Sequence, residues 1–472
     1  MTRLRIAMTA AAVVATAAAL LGIGVRATDG GHAAVDEPQY LLTAISLWED
    51  RNLDISDELA DRRYRDFFDA ELPVQTRVLA DGRQLSPHDP LLPLILAAPV
   101  GLLGWVGAKI TLSFLAGALA ALLVWVAVRR FEVPVTVAGI GTALAGASAP
   151  LAVYGQQVYP EIPAALALLV GVALTTGPLR RHDLIALVVA LTALPWLGAK
   201  YLPVAAALAV VALVRLVREQ RRAAVWLAAS LALSGVVYLV AHRLLWGGWT
   251  VYATGDHFVQ TGEFSVIGVE PDYVGRSLRL VALLSDRAYG LVAWQPAWLL
   301  AVPAVGALVA LRGRVTPGLV RAAALAPLLA GWTVATWWAL TMHGFWWPGR
   351  QVVVVVPIAA LVVLWWVGRI VPWLQPVAAA LALIGVAHYA ALLVDGWAGH
   401  VTWVGSFDGV HDPLYRILRP LYPDYREQGP DFWPLHLAWT VIVLVLLWLG
   451  ARSVRRRSEP AVSRSTERIL VP

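Results

Sequence analysis

Apolar runs long enough to cross a hydrocarbon core of ~30 Å recur along the whole chain, and most are followed by a cluster of arginines. That alternation excludes a soluble globular fold and predicts an all-α polytopic membrane protein. Of 472 residues, 59% are hydrophobic and 14% charged, with a mean hydropathy of +0.67. The net charge of +6 does not signify nucleic-acid binding, because the arginines sit at the ends of apolar segments, where they set orientation in the bilayer. Cysteine is absent, so disulfides, thiolate catalysis and Cys-ligated metals are excluded.

Arg3 and Arg5 precede the run 6–25, which is too long for a signal-peptide core of ~7–15 residues and reads as an uncleaved first span with its N-terminus inside. If 91–104 also crossed the membrane, Arg129 and Arg130 would face outside and every later basic cluster would flip with them. The positive-inside rule therefore places 91–104, interrupted by Pro93 and Pro99, at the outer interface or as a re-entrant element. The second span is then 110–128, followed by 135–153, 162–176, 184–199, 202–217, 224–241, 298–311, 323–340, 352–367, 376–393 and 435–449. Twelve spans with both termini cytoplasmic satisfy every basic cluster. The spans form one domain, 1–450, and a basic, disordered tail, 451–472, follows. External loops fall at about 28–109, 246–294 and 395–433, and the first carries an interfacial juxtamembrane helix through Leu42, Ile45, Leu47 and Trp48.

Polar residues that need a reason gather on the outer side. Asp36 and Glu37 follow the first span directly, and the stretch continues through Tyr40. An ionised pair there is either functional or the capped start of a helix. Glu161 follows Tyr159-Pro160 between the third and fourth spans, as a second such carboxylate or a helix N-terminal charge. Lys200 and Tyr201 join the fifth and sixth spans; the lysine either snorkels to headgroups or binds an anionic substrate group. The second large loop adds Asp256, His257 and Asp286. His343 and the aromatic pair Trp346-Trp347 lead to Arg350 at the start of an apolar helix. Carboxylates and cations on one side of a helical bundle suit transfer from a phosphate-linked donor: the carboxylate takes a proton from the incoming hydroxyl and the cations stabilise the departing phosphate. Walker A, His-Glu-x-x-His, Gly-x-Gly-x-x-Gly and Gly-x-Ser-x-Gly motifs are absent.

With Asp36-Glu37-x-x-Tyr40 after the first span and Ser86-Pro-His-Asp-Pro-Leu-Leu-Pro93 before the second, the sequence resembles the GT-C glycosyltransferases. The nearest types are the protein O-mannosyltransferases, the aminoarabinose transferases and related actinobacterial proteins. Tyr159-Pro-Glu161, Asp286-Arg-x-Tyr-Gly-Leu291 and Trp347-Pro-Gly-Arg350 are similar to blocks of the actinobacterial members. The resemblance implies a GT-C-like bundle, a polyprenyl-phosphate sugar donor, an envelope glycan, lipid or protein acceptor, and inverting transfer at the extracytoplasmic face of the plasma membrane. It implies Asp36 as general base, Glu37 in support or holding a divalent metal such as Mg²⁺ or Mn²⁺, and Lys200 and Arg350 on the donor phosphate. Tyr40, His88, Glu161, Tyr201 and Asp286 complete the expected substrate site, His88 standing where aminoarabinose transferases carry a Lys-Pro-Pro element. Two other readings stay open: a flippase or transporter for lipid-linked sugars, and a non-catalytic envelope assembly protein.

Overall fold

The computed structural model describes residues 2–458 apart from 74, 251–271, 312–317, 340–341, 343–346, 348, 406 and 408. Asp256, His257, His343, Trp346 and the end of the tail lie outside the described residues.

The described chain is a bundle of helices, and its regular strands are one hairpin, with Arg77 opposite Leu85 and Val78 opposite Gln84. The principal helices are α1 (Thr2–Leu21), α2 (Glu37–Glu49), α3 (Leu91–Arg130), α4 (Val135–Gly146), α5 (Glu161–Thr175), α6 (Arg181–Leu197) and α7 (Leu202–Glu219). They continue with α8 (Arg221–Trp246), α9 (Ala301–Ala310), α10 (Gly318–Thr333), α11 (Val356–Trp365), α12 (Gln375–Trp397) and α13 (Phe432–Ser458). With their flanking turns, eight of these (α1, α3, α7, α8 and α10 to α13) are long and apolar enough to span a bilayer, so this is a multi-pass membrane protein.

The expected spans at 162–176 and 298–311 are apolar helices close to the expected bounds, Glu161–Thr175 and Pro296–Ala310, whereas that at 135–153 is a shorter helix than the sequence pattern implies. Pro150 cannot continue a helix from Gly146, and α4, at 12 residues, rises only ~18 Å. Residues 148–160 then run through the protein interior, buried throughout, largely as turns. Irregular backbone is tolerated at membrane depth only where protein or a cavity surrounds it.

The helix from Arg350 to Ile370 forms the centre, with 83% of its most apolar window buried against 17% for α8 and α13. Apolar on every face, it can be enclosed by its neighbours. The outer helices instead present bare hydrocarbon: Leu233, Leu244, Val441 and Leu444 are each more than half exposed.

The placement of 91–104 follows from one residue. Gly104 breaks α3 with φ 63° and ψ −157°, a conformation essentially reserved for glycine. The chain folds back there, so that a Cβ on Gly107 would meet the Pro99 carbonyl oxygen at 2.1 Å. Positions eight apart in one straight helix stand ~12 Å apart. The segment 91–103 is therefore separate from the long helix 105–130.

Helix α2 corrects an expectation. Instead of lying at an interface, it is buried from Glu37 to Ser46. Two of its polar side chains find internal partners, Thr43 donating to the Gln39 carbonyl at 2.8 Å and Ser46 to the Asp54 carbonyl at 2.7 Å, while the Gln39 amide is buried without one. Trp48, half-exposed, lies against Gly101 of the folded-back segment.

The same loop holds a strained acid. Glu58 is 3% exposed, and neither carboxylate oxygen receives a hydrogen bond. Burial, with Asp57 adding to it, pushes its pKa up to about 8. The folded state thus favours protonated Glu58, so its contribution to stability is full below the ordinary value of 4.5 and is lost as pH rises toward 8. Glu58→Gln should raise stability at pH 8.5 by ~1–3 kcal/mol, with the gain vanishing near pH 4.5, read as thermal melting in detergent at both pH values. A gain independent of pH would contradict the assignment.

Candidate functional site

Four distant stretches of chain bring charged residues together at helix starts. Asp36 immediately precedes α2, and Glu161 is the first residue of α5. Lys200 lies in the 3-10 turn leading into α7, and Arg350 opens the 3-10 turn leading into α11. The N-terminal end of a helix carries partial positive charge, so this convergence favours an anion even before the side chains are counted.

Arg350 is the hub. Its Nη2 donates to Asp36 Oδ2 at 2.6 Å and its Nε to Glu161 Oε1 at 3.0 Å, while the guanidinium lies 4.1 Å from the centre of the Tyr159 ring. Lys200 Nζ donates to the same Glu161 oxygen at 2.8 Å. His88 Nε2 stands 3.8 Å from Asp36 Oδ1, and its ring stacks on Tyr40 at 4.6 Å. Tyr201 packs beneath Lys200, its ring centre 5.2 Å from Nζ. Seven of the nine residues expected from sequence (Asp36, Tyr40, His88, Glu161, Lys200, Tyr201 and Arg350) thus form one connected cluster.

For Asp36 and Lys200 the ordinary explanations, a helix cap and snorkelling, do not describe the contacts these side chains make. Asp36 occupies a helix-cap position but makes no capping hydrogen bond with its side chain. Glu161 faces two cations, and Lys200 turns to Glu161. The Lys200 side chain is 31% exposed, against 8% for Arg350 and 13% for Asp36, so it marks the open side of the cluster. Gly349 sets the approach of Arg350: its φ of 81° suits glycine, and a Cβ there would press on Leu291 at 2.9 Å.

Burial opposes ionisation of Asp36, but Arg350, His88 and Lys200 outweigh it and hold the carboxyl below its usual range. Burial also lowers the His88 pKa, against the pull of Asp36, so the imidazole is neutral at pH 7. Beside the ion pairs, His88 Nε2 is buried without a hydrogen-bond partner. Buried polar atoms of this kind are the exception in folded proteins, and a polar ligand would satisfy them.

Two expected residues take other roles. Glu37 is completely buried, with Oε1 accepting from the Val158 N–H at 2.7 Å and Oε2 from the Ala34 N–H at 3.0 Å. Lys109 Nζ is 4.0 Å from Glu37 Oε1 and donates to Gln156 at 3.2 Å. Glu37 therefore pins the buried 155–160 turn to the start of α2. With its oxygens so engaged and Asp36 bound to Arg350, the pair does not fit a Mg²⁺ or Mn²⁺ ion. Asp286 accepts from the Ala288, Tyr289 and Tyr425 N–H groups at 2.9, 2.6 and 3.1 Å, fastening its own turn to the loop at 395–433. None of the ion pairs described for the cluster reaches it.

Sequence reasoning missed Asp89, Tyr238 and His242. Asp89 accepts from the Ala199 N–H at 3.1 Å, next to Lys200, and from the Tyr238 hydroxyl at 2.9 Å; His242 Nε2 lies 3.0 Å from it. This buried knot ties the 86–90 loop to α8 and to the turn carrying Lys200. The available signal was a tyrosine and a histidine four apart on an otherwise apolar helix. Lys109 was visible too, as one of only two lysines in the chain.

No protein-family model matches the chain, and no curated protein matches it.

Proposed function

We propose that the protein is an integral membrane glycosyltransferase of GT-C architecture. It moves a sugar from a polyprenyl-phosphate donor to an envelope glycan, lipid or protein at the extracytoplasmic face of the plasma membrane. The observation that carries this reading is the buried Asp36–Arg350 contact at a convergence of helix N-termini, with Lys200 at its open side. A carboxylate beside two cations in a site shielded from water is what inverting transfer from a sugar phosphate needs.

In the proposed step, the acceptor hydroxyl oxygen attacks the anomeric carbon from the face opposite the phosphate, while Asp36 takes its proton. The bond from that carbon to the phosphate oxygen breaks, and its electron pair leaves with polyprenyl phosphate. Lys200 and Arg350 stabilise the charge developing on the phosphate, and Glu161 holds both cations in place. The low pKa of Asp36 weakens it as a base but keeps it ionised at neutral pH, ready to accept a proton. Twelve crossings, with both termini cytoplasmic, result when α4, α5, α6 and α9 are counted with the eight long helices.

The test supplies radiolabelled hexosyl and pentosyl polyprenyl phosphates to membranes with and without the overproduced chain. Label entering an envelope glycan, lipid or protein fraction only when the chain is present is the expected result. Label that crosses sealed vesicles still attached to its lipid would replace the reading with a flippase. The absence of both would leave an assembly protein.

A further inference from the structure

Away from the cluster, three metal-ligating side chains converge at the end of α12 and on the loop that follows. Asp395 Oδ1 lies 3.4 Å from His400 Nδ1 and 3.0 Å from His411 Nδ1, and the two imidazole centres are 4.6 Å apart. The three donor atoms lie within 4.8 Å of one another. A tetrahedral ion with bonds of ~2.0–2.1 Å holds its ligands ~3.3–3.4 Å apart, so small movements would bring all three onto one centre.

The donors are also held from behind. Asp395 is 5% exposed, and its second oxygen accepts the His411 backbone N–H at 2.7 Å. Its carbonyl accepts the His400 N–H at 2.8 Å. The next residue, Asp412, pairs with buried His388 and caps the helix from Pro413 to Leu418. Outer contacts of this kind orient metal ligands. Both histidine side chains are about half exposed, at 52% and 54%, so an ion has access from solvent.

We propose that Asp395, His400 and His411 bind one Zn²⁺ ion that clips the loop 395–411 closed. Two imidazoles and one carboxylate form a borderline donor set that suits Zn²⁺ better than Mg²⁺ or Ca²⁺, and a water molecule would take the fourth position. The clip has a structural consequence near the charged cluster. Trp403 and Phe407, on this loop, stand 5.6 and 4.8 Å from Trp347, three residues before Arg350. The loop is also stitched to the end of the first helix region, Trp403 N–H to the Arg26 carbonyl at 3.0 Å and its indole N–H to the Gly22 carbonyl at 3.0 Å. Zinc would fix the outer wall of the site without touching the ion pairs.

The site does not depend on glycosyl transfer, and its test reads binding alone. The full chain, without a polyhistidine tag, is purified in detergent, stripped with chelator and titrated calorimetrically with ZnCl₂ and separately with MgCl₂. One Zn²⁺ per chain and no Mg²⁺ is expected. Co²⁺ in place of zinc should give the intense visible absorption of a four-coordinate centre. His400→Gln with His411→Gln, at half-exposed positions that leave the fold intact, should weaken binding by more than the ~10–100-fold that loss of an outer-shell partner costs. His182→Gln, on an exposed histidine elsewhere, should leave it unchanged. Zinc should also slow hydrogen exchange at residues 399–411. Equal zinc affinity in wild type and the double variant, or no stoichiometric binding by wild type, would overturn the proposal.

Discussion

Arg350→Met should abolish sugar transfer and cost ~3–5 kcal/mol of stability, the largest structural effect expected from any single substitution in this chain. Arg350 is the partner of both Asp36 and Glu161, at 2.6 and 3.0 Å, and it is 8% exposed. Its removal leaves Glu161 with Lys200 alone, at 2.8 Å, and Asp36 with only the neutral His88 beside it. Asp36 must then protonate or draw in water, and either outcome dismantles the site. Adding Asp36→Asn to Arg350→Met should return part of the lost stability, because the carboxylate left without an ion pair disappears with its partner. That recovery is the non-additivity expected of residues in one network. The measurement is thermal or denaturant unfolding in detergent for the two single variants and the double. Strict additivity would mean that the ion pairs contribute independently, and Arg350 would lose its place as the hub.

Asp36→Asn should leave folded protein and lower the transfer rate ~10²–10⁴-fold, the range that general-base assistance contributes. Asparagine keeps the shape and an oxygen for Arg350 but cannot take a proton from an acceptor hydroxyl. Because nearby cations hold the Asp36 carboxyl below its ordinary value of 3.8, transfer should persist to mildly acidic pH and fall only as pH drops through the depressed value. The same group contributes stability above about 3.8 and loses it as the pH falls further, since the unfolded state then binds the extra proton. Activity is read with radiolabelled donor, after matching the amounts of folded wild type and variant. Full activity in the variant would reduce Asp36 to a partner of Arg350 and remove the base from the proposed mechanism.

The structure also separates two neighbours that looked equivalent in sequence. Asp36 and Glu37 are adjacent carboxylates at the same helix start. The ~100° step between adjacent residues at a helix start sends one toward Arg350 and the other toward the Val158 and Ala34 N–H groups. The first contact joins the charged cluster and the second braces the backbone. Glu37 in turn explains how the irregular stretch 155–160 is held in the interior, because a completely buried carboxylate supplies an acceptor to backbone that no helix satisfies.

Legibility from sequence followed the range of the forces involved. The membrane class, the helical content and the break near Gly104 were readable, because long apolar runs, arginine clusters and glycine all act within one turn or one span. Most members of the charged cluster were readable as well: a charge beside an apolar run is costly anywhere, so Asp36, Glu161, Lys200 and Arg350 stood out before any fold was known. What tertiary structure alone decided was their pairing. Asp36 and Arg350 are 314 positions apart, and only the packing of α2, α5, α7 and α11 turns four isolated charges into one network. It likewise decided that α2 is buried, that Asp286 serves a turn, and that Asp89 reaches Tyr238 and His242 on another helix. Local sequence records the cost of placing a polar group near lipid; which partner meets that cost depends on helices the chain brings together only when it folds.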